Sequence, residues 1–321
     1  MTIKNVCVLG GAGFVGSSIV AKLDAAGYQV KVLTRNRERA KHLILLPNVQ
    51  VQECNIGDNN ALKNAFNGSD AVINLIGILH ENGNNTFESV HHQLPRKVAQ
   101  LCEDVGIHRL IHMSALRAGK YAPSHYLRSK AQGEDAVNDF NKKLDVTIFK
   151  PSVIFGRGDS FLNLFANLVK FLPIVALAKP DAKFQPIWVD DVASAFVNAL
   201  QNTATYSKTY ELGGPTVYTL RELVQKVMDT LGKQRPIVGL NDSLSMAQAF
   251  MLELMPIKLM TRDNVRSMEV DNVTELPIAA ELGVTPASLD VVMPEYLINQ
   301  SPRGTYDGFR SAAGRAINAR R

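Results

Sequence analysis

Three glycines spaced by threes, Gly10, Gly13 and Gly16, lie between a short β-branched apolar run at residues 6–9 and a segment of helical spacing at 17–26 that stops at Gly27. Strand, glycine turn and helix in that order form the opening of a dinucleotide-binding βαβ unit. Each glycine has a physical task. Gly10 permits a tight exit from the strand, Gly13 lets the backbone approach a pyrophosphate, and Gly16 lets the helix pack closely on the sheet. The unpaired amides at the start of that helix, around Phe14, Val15 and Gly16, and its positive dipole end then face the phosphates.

The alternation continues beyond the turn. Residues 29–33 read as a strand, 37–46 as a helix, 49–53 as a strand, 61–66 as a helix and 71–75 as a fourth strand. A helix at 95–105, with proline in its first turn, precedes a fifth strand at 109–113. Further strands are expected at 146–149 and 210–213, with a helix at 189–200 between them. The pattern predicts an α/β fold, a Rossmann-type doubly wound parallel sheet with a smaller, mostly helical C-terminal lobe. Residues 1–155 would form the NAD(P)-binding domain, which also receives about 187–215; 156–186 and 216–297 would form the smaller substrate or partner lobe.

The net charge of +5 raises the question of a nucleic-acid partner. Its distribution argues against one. Arg303, Arg310, Arg315, Arg320 and Arg321 against the single Asp307 put +4 of that charge in the last residues, leaving the body nearly neutral. Residues 298–321 read as a basic flexible tail, or as a segment that docks on an acidic partner or anionic membrane. Cys7, Cys54 and Cys102 are odd in number and lack metal-ligand spacing, so they read as buried thiols, with no metal site indicated. Glycines interrupt the apolar N-terminus, and Lys170 and Pro173 break the run at 162–178. A cytoplasmic location is expected, with peripheral contact at the inner face of a membrane as the variant.

NAD-preferring folds place an acid at the end of the second strand for the ribose hydroxyls. Here that end reads Leu33-Thr34-Arg35. A guanidinium cannot accept those hydrogen bonds but pairs with a 2′-phosphate, which favours NADP(H) while leaving NAD(H) possible. Arg37 and Arg39 either assist or form a solvated helix start. Asn55 and Ile56 follow the third strand, where the adenine edge would lie.

Several further segments, namely Asn74-Leu75-Ile76-Gly77, His112-Met113-Ser114-Ala115, Tyr126-Leu127-Arg128-Ser129-Lys130 and Lys150-Pro151-Ser152-Val153-Ile154-Phe155-Gly156, complete a resemblance over nearly the whole chain. With the turn at Gly10–Gly16, they make the sequence similar to the extended and atypical short-chain dehydrogenase/reductases, the epimerase/dehydratase group. Within it, residues 74–77, 151–156, 184–193 and 210–215 look most like the branch holding the nucleotide-binding accessory subunit of respiratory complex I and its bacterial relatives. The resemblance implies cofactor contacts at Leu75, Ile76, Gly77, Met113, Tyr126, Lys130, Lys150, Pro151 and Val153.

Tyr126 and Lys130 are four apart and share a helix face. Chance supplies about 0.4 such pairs in a chain of this composition, so the placement after the fifth strand carries the weight. In the resembled family the pair is catalytic, the ammonium lowering the phenol's pKa and holding the ribose; the alternative is a structural helix face. The sequence departs from that family at Ser114-Ala115, where active members often carry two small hydroxyl residues. If Ala115 takes the substrate-facing position, a donor is missing, and Ser114 either substitutes or caps the strand. Two functions follow: an NADP(H)-dependent oxidoreductase or epimerase-like enzyme of unknown small-molecule substrate, or a noncatalytic NADPH-binding accessory or assembly protein touching a respiratory complex. The methionine-rich stretch from Met246 to Met260 reads either as a core helix broken at Pro256 or as a contact surface for that second role. The oligomeric state stays open.

Overall fold

The computed structural model describes residues 2–255 and 259–298. The basic tail after residue 298 and Pro256 lie outside the described residues. Seven parallel strands make the main sheet. In chain order they begin with β1 (Asn5–Leu9), β2 (Gln29–Thr34), β3 (Val49–Glu53), β4 (Ala71–Asn74), β5 (Arg109–Met113) and β6 (Asp145–Pro151). The seventh, Lys208–Leu212, pairs with β6 at one edge, and the spatial order runs from it through β6, β5, β4, β1 and β2 to β3. The order therefore reverses between β1 and β4, which opens a crevice at the carboxyl ends of those strands.

Alternate residues of β1 serve opposite faces, as the pleat requires. Val6 and Val8 join a core with Ile19, Leu23, Phe196 and Ala199 under α1 (Phe14–Ala25) and α6 (Val189–Leu200). Cys7 and Leu9 join the other core, with Leu62, Phe66, Val98 and Val137 from α2 (Asn59–Phe66), α3 (Leu94–Asp104) and α4 (His125–Asn138). All three cysteines are buried and free, and burial pushes the Cys7 thiol up to about 12. Strands covered on both faces read as unbroken apolar runs, as β1 and β4 do, and β3, β5 and α6 also fall at their expected positions.

A third core gathers α5 (Leu162–Phe171), α7 (Leu220–Thr230) and α10 (Leu289–Leu297) around Phe165, Val224, Val227 and Met293. Beside it, Val175–Ala178 pairs in parallel with Ile237–Leu240, and Lys183–Phe184 pairs with Tyr218–Thr219. The region is mostly helical, as expected, with these short ribbons added to it. Residues 37–45 are a 3₁₀ helix and not an α-helix, with Asn36 accepting from the Glu38 amide at its start. The core-helix reading of residues 246–260 holds for one side of the stretch, where Met246 and Met260 pack against Ala178, Ala249 and Val265. In α8 (Asp242–Glu253) only Ser245 and Ala249 are buried, while Leu244, Phe250 and Met251 face outward.

Candidate functional site

The glycine turn leaves β1 with Gly10 at φ +80, a conformation that side chains with a Cβ rarely adopt. A Cβ there would sit 3.3 Å from the Leu75 carbonyl carbon and the Ile76 amide nitrogen, so the turn lies directly against the segment after β4. Gly16 is more constrained than its expected role of packing on the sheet. Its Cβ would fall 2.2 Å from the Gly10 carbonyl oxygen and 2.6 Å from Gly11 Cα, so it packs on the turn itself. Gly13 is the N-cap of α1, and no side chain caps that helix and no acid occupies its first turn. The first amides of α1 therefore remain for an anion, as a dinucleotide pyrophosphate requires. Ser17, one turn in, donates to the Gly13 carbonyl at 2.8 Å and meets His42 Nε2 at 2.8 Å.

At the end of β2, Thr34 Oγ1 is spent on the Asn36 carbonyl and Asn55 Oδ1 accepts from the Gly57 amide. Arg35, Arg37 and Arg39 are exposed, and none has a carboxylate partner among the described residues. Glu53, at the end of the neighbouring strand, accepts from the Arg37 amide at 2.9 Å. Ile56 packs on the second core, and its carbonyl receives the Lys97 ammonium.

On the other side of the crevice stands α4, which carries Tyr126, Lys130 and Glu134 at successive fours on one face. Lys130 is buried and donates to the Met113 carbonyl at 2.7 Å. Burial lowers its ammonium to about 8, with Glu134 opposing the shift. A Cβ on Gly77 would meet its Nζ at 3.7 Å and His91 Nε2 at 3.5 Å. The structure thus brings Gly77, Met113, Lys130 and His91 together at the switch point. Tyr126 is partly buried, its phenol is pushed up to about 12 by desolvation, and its hydroxyl has no hydrogen-bond partner among the described residues. At neutral pH it is a proton donor.

Ser114 and Lys150 meet through a residue the sequence reading missed. Ser114 Oγ donates to Glu134 Oε1 at 2.5 Å, and Lys150 donates to Glu134 Oε2 at 3.1 Å and to the Ala118 carbonyl at 3.1 Å. The signal was present, since Glu134 extends the Tyr126-Lys130 spacing by one more turn. Phe14 lies close to Gly156, whose Cβ would be 3.5 Å from its ring. Pro151 ends the ladder against Leu212, and the Val153 amide donates to Asn272 Oδ1 at 3.0 Å.

His91 was also missed, and its reason is local geometry. It sits in a π-helical turn, Glu88–Gln93, that pushes one residue out of α-helical register. Its Nε2 accepts from the Ile78 amide at 2.9 Å, so its Nδ1–H is the donor to Ser129 Oγ at 2.8 Å, and Ser129 donates on to the Tyr126 carbonyl at 2.8 Å. Burial lowers the ring to about 3, and His112, fully buried, shifts the same way. The unfolded chain takes up these protons below about pH 6.5 while the folded one does not. Stability should therefore fall as pH drops from 6.5 toward 4, each histidine contributing up to about 1.4 kcal/mol per pH unit. Melting curves across that range should flatten in His91→Gln; an unchanged slope would show that His91 is not the neutral acceptor described.

The N-terminus of α4 is completed from far along the chain. Asp263, in the short helix α9 (Arg262–Ser267), accepts from the His125 amide at 2.8 Å and the Tyr126 amide at 2.9 Å. Ser267 Oγ donates to Ser124 Oγ at 2.8 Å, and Ser124 accepts from the Leu127 amide.

Comparison with known proteins places this geometry in context. The family model described as the NAD dependent epimerase/dehydratase family matches residues 6–213. A mitochondrial protein of Arabidopsis thaliana, NADH dehydrogenase [ubiquinone] 1 alpha subcomplex subunit 9, is 34% identical over 298 residues, covering 89% of this chain and 73% of that protein. Among solved structures, UDP-glucuronic acid 4-epimerase from Bacillus cereus superposes with a TM-score of 0.73 at 15% identity, covering 92% of this chain and all of the other. The NADPH-dependent quinone oxidoreductase QOR2 of Escherichia coli gives 0.72 at 18% identity, again covering 92% of this chain and all of the other.

Proposed function

The chain belongs to the NAD dependent epimerase/dehydratase family, and on that premise we propose that it is an NADP(H)-dependent oxidoreductase or epimerase-like enzyme. Residues 1–155 with about 187–215 would hold the dinucleotide, and 156–186 with 216–297 would hold the substrate or partner. The observation that carries the reading is the meeting of Lys130 with Gly77 and the Met113 carbonyl beside the uncapped start of α1. Bound at this crevice, the nicotinamide would supply or accept a hydride.

The chain's own residues do the rest. Lys130 has three donors and spends one on Met113, which leaves two for the ribose hydroxyls and the phenol. Tyr126, neutral at pH 7, delivers its proton to a substrate oxygen, and an ammonium completed by ribose contacts eases the phenol's recovery. Leu75, Ile76 and Gly77 present backbone to the dinucleotide where a side chain would intrude. Arg35, with Arg37 and Arg39 beside it, meets the 2′-phosphate. Arg35→Asp should weaken NADPH binding about tenfold or more while strengthening NADH, roughly 1.4 kcal/mol for each factor of ten. Equal affinities before and after would show that Arg35 points elsewhere.

One observation favours the second reading, a noncatalytic NADPH-binding accessory protein of a respiratory complex. The Ser114 hydroxyl proton is committed to Glu134, and Ala115 has no donor, so a substrate oxygen would find only Tyr126. The named Arabidopsis relative is a complex I subunit, which is the role that reading would carry over. The deciding experiment is calorimetric titration of NADPH and NADH, followed by a search for cofactor oxidation with carbonyl substrates. Turnover supports the enzyme. Tight NADPH binding with none across the panel supports the accessory role, and binding of neither cofactor defeats both.

A further inference from the structure

Most amphipathic helices turn their large apolar side chains toward the body of the protein. Helix α8 does so only with Met246, which packs against Ala178, Ala249 and Val265, and with the half-buried Leu252. Its buried positions are the small Ser245 and Ala249, whereas Leu244, Ala247, Met251 and Leu254, spaced as one helical stripe, are exposed, Met251 to 70% and Leu254 to 72%. Phe250 and Met255 flank the stripe and are also exposed.

The exposed surface extends past the helix. Gln248 donates to the Ala176 carbonyl at 3.0 Å, which sets α8 against the ribbon Val175–Ala178 and Ile237–Leu240. Ala176 lies opposite Val238 in that ribbon, and both face solvent. The chain enters the ribbon through Phe171, Leu172 and Ile174, all exposed, Phe171 to 83%. A folded chain rarely leaves so many large apolar side chains in one region without a partner.

Charge identifies the kind of partner. The only acids of α8 stand at its two ends and each is neutralised, Asp242 by Lys179 at 2.8 Å and Glu253 by Arg262 at 2.9 Å. The described chain ends at Ile298, in a shallow cleft with Leu297 and Lys170, one residue from Phe171. From that point the sequence continues into Arg303, Arg310, Arg315, Arg320 and Arg321 with one acid, Asp307. An apolar stripe whose own two acids are both paired, on the lobe from which a +4 segment continues beside Lys170 and the exposed Phe171, has the two signals that interfacial membrane binding needs. No helix among the described residues is long and apolar enough to cross a membrane.

We propose that this face docks the protein peripherally on an anionic lipid surface, with the α8 stripe entering the headgroup boundary and the terminal arginines meeting lipid phosphates. The inference is independent of whether the chain turns a substrate over.

The test is sedimentation of the full chain with vesicles of phosphatidylcholine alone or with about 30% phosphatidylglycerol, at low and high salt. Binding is expected to the anionic vesicles, at least tenfold weaker on the neutral ones and weakened by salt. Met251→Asp with Leu254→Asp, both at exposed positions, should reduce it at least tenfold, and so should replacing the five terminal arginines by glutamine. Retained NADPH binding serves as the control for folding. Absent binding, or binding unchanged by the α8 substitutions, overturns the proposal. A concentration-dependent dimer dispersed by the same substitutions, without vesicle binding, would assign the face to a second copy and also overturn it.

Discussion

Replacing Gly16 by alanine is expected to cost the protein its cofactor, with NADPH affinity falling at least a hundredfold, on the order of 2.7 kcal/mol. The added methyl would lie 2.2 Å from the Gly10 oxygen, 2.6 Å from Gly11 Cα and 2.9 Å from the Gly11 carbonyl carbon. All three are backbone atoms, so no flexible side chain can yield. Either the turn opens or α1 withdraws, and in both cases the uncapped amides leave the position that a pyrophosphate occupies. Gly27→Ala provides the contrast. Its Cβ meets nothing within 4 Å, but its φ of +85 strains any side chain, so stability should drop by about 1–2 kcal/mol with NADPH affinity intact. Calorimetry and thermal melting separate the two. A folded Gly16→Ala protein that binds NADPH within threefold of the parent would place the phosphates elsewhere.

Tyr126→Phe should act in the opposite way, sparing binding and removing turnover. The phenol oxygen has no hydrogen-bond partner among the described residues, and the ring keeps its edge contacts with Phe87 and His91, centroids 6.1 and 5.5 Å away. Little stability is therefore at stake. Loss of a positioned proton donor typically slows the chemical step by about 10²–10⁴. The expected result is that fall in turnover with NADPH affinity within threefold, read on whichever carbonyl substrate the parent reduces. A phenylalanine variant as active as the parent would mean that the proton comes from another group, and a parent with no activity on any substrate would leave the accessory reading standing.

What could be read from the sequence follows from how each part is specified. The central strands β1 and β4 declare themselves because both faces are buried, and Gly10 and Gly16 declare themselves because the turn admits no Cβ. Lys130 was visible through its spacing from Tyr126. The remaining parts depend on partners distant in the chain. The pairing of Val175 with Ile237 joins segments about sixty residues apart through short runs that carry no pattern of their own. His91 enters the site through a π-helical turn, which breaks the 3.6-residue spacing on which a sequence reading relies. The outward stripe of α8 is amphipathic either way up, so composition alone could not say which face the body would cover.

The cap on α4 bears on how the molecule is made. Synthesis delivers Tyr126 and Lys130 long before Asp263, which lies 137 residues beyond Tyr126. A nascent chain can assemble most of the sheet early, yet its edge strand waits for Lys208–Leu212 and the start of α4 waits longer still. A product released prematurely therefore carries both residues on a helix whose first amides are bare. For the same reason the region around α9 is not a cassette to be exchanged between relatives, since grafting it means rebuilding the start of the helix that carries Tyr126 and Lys130.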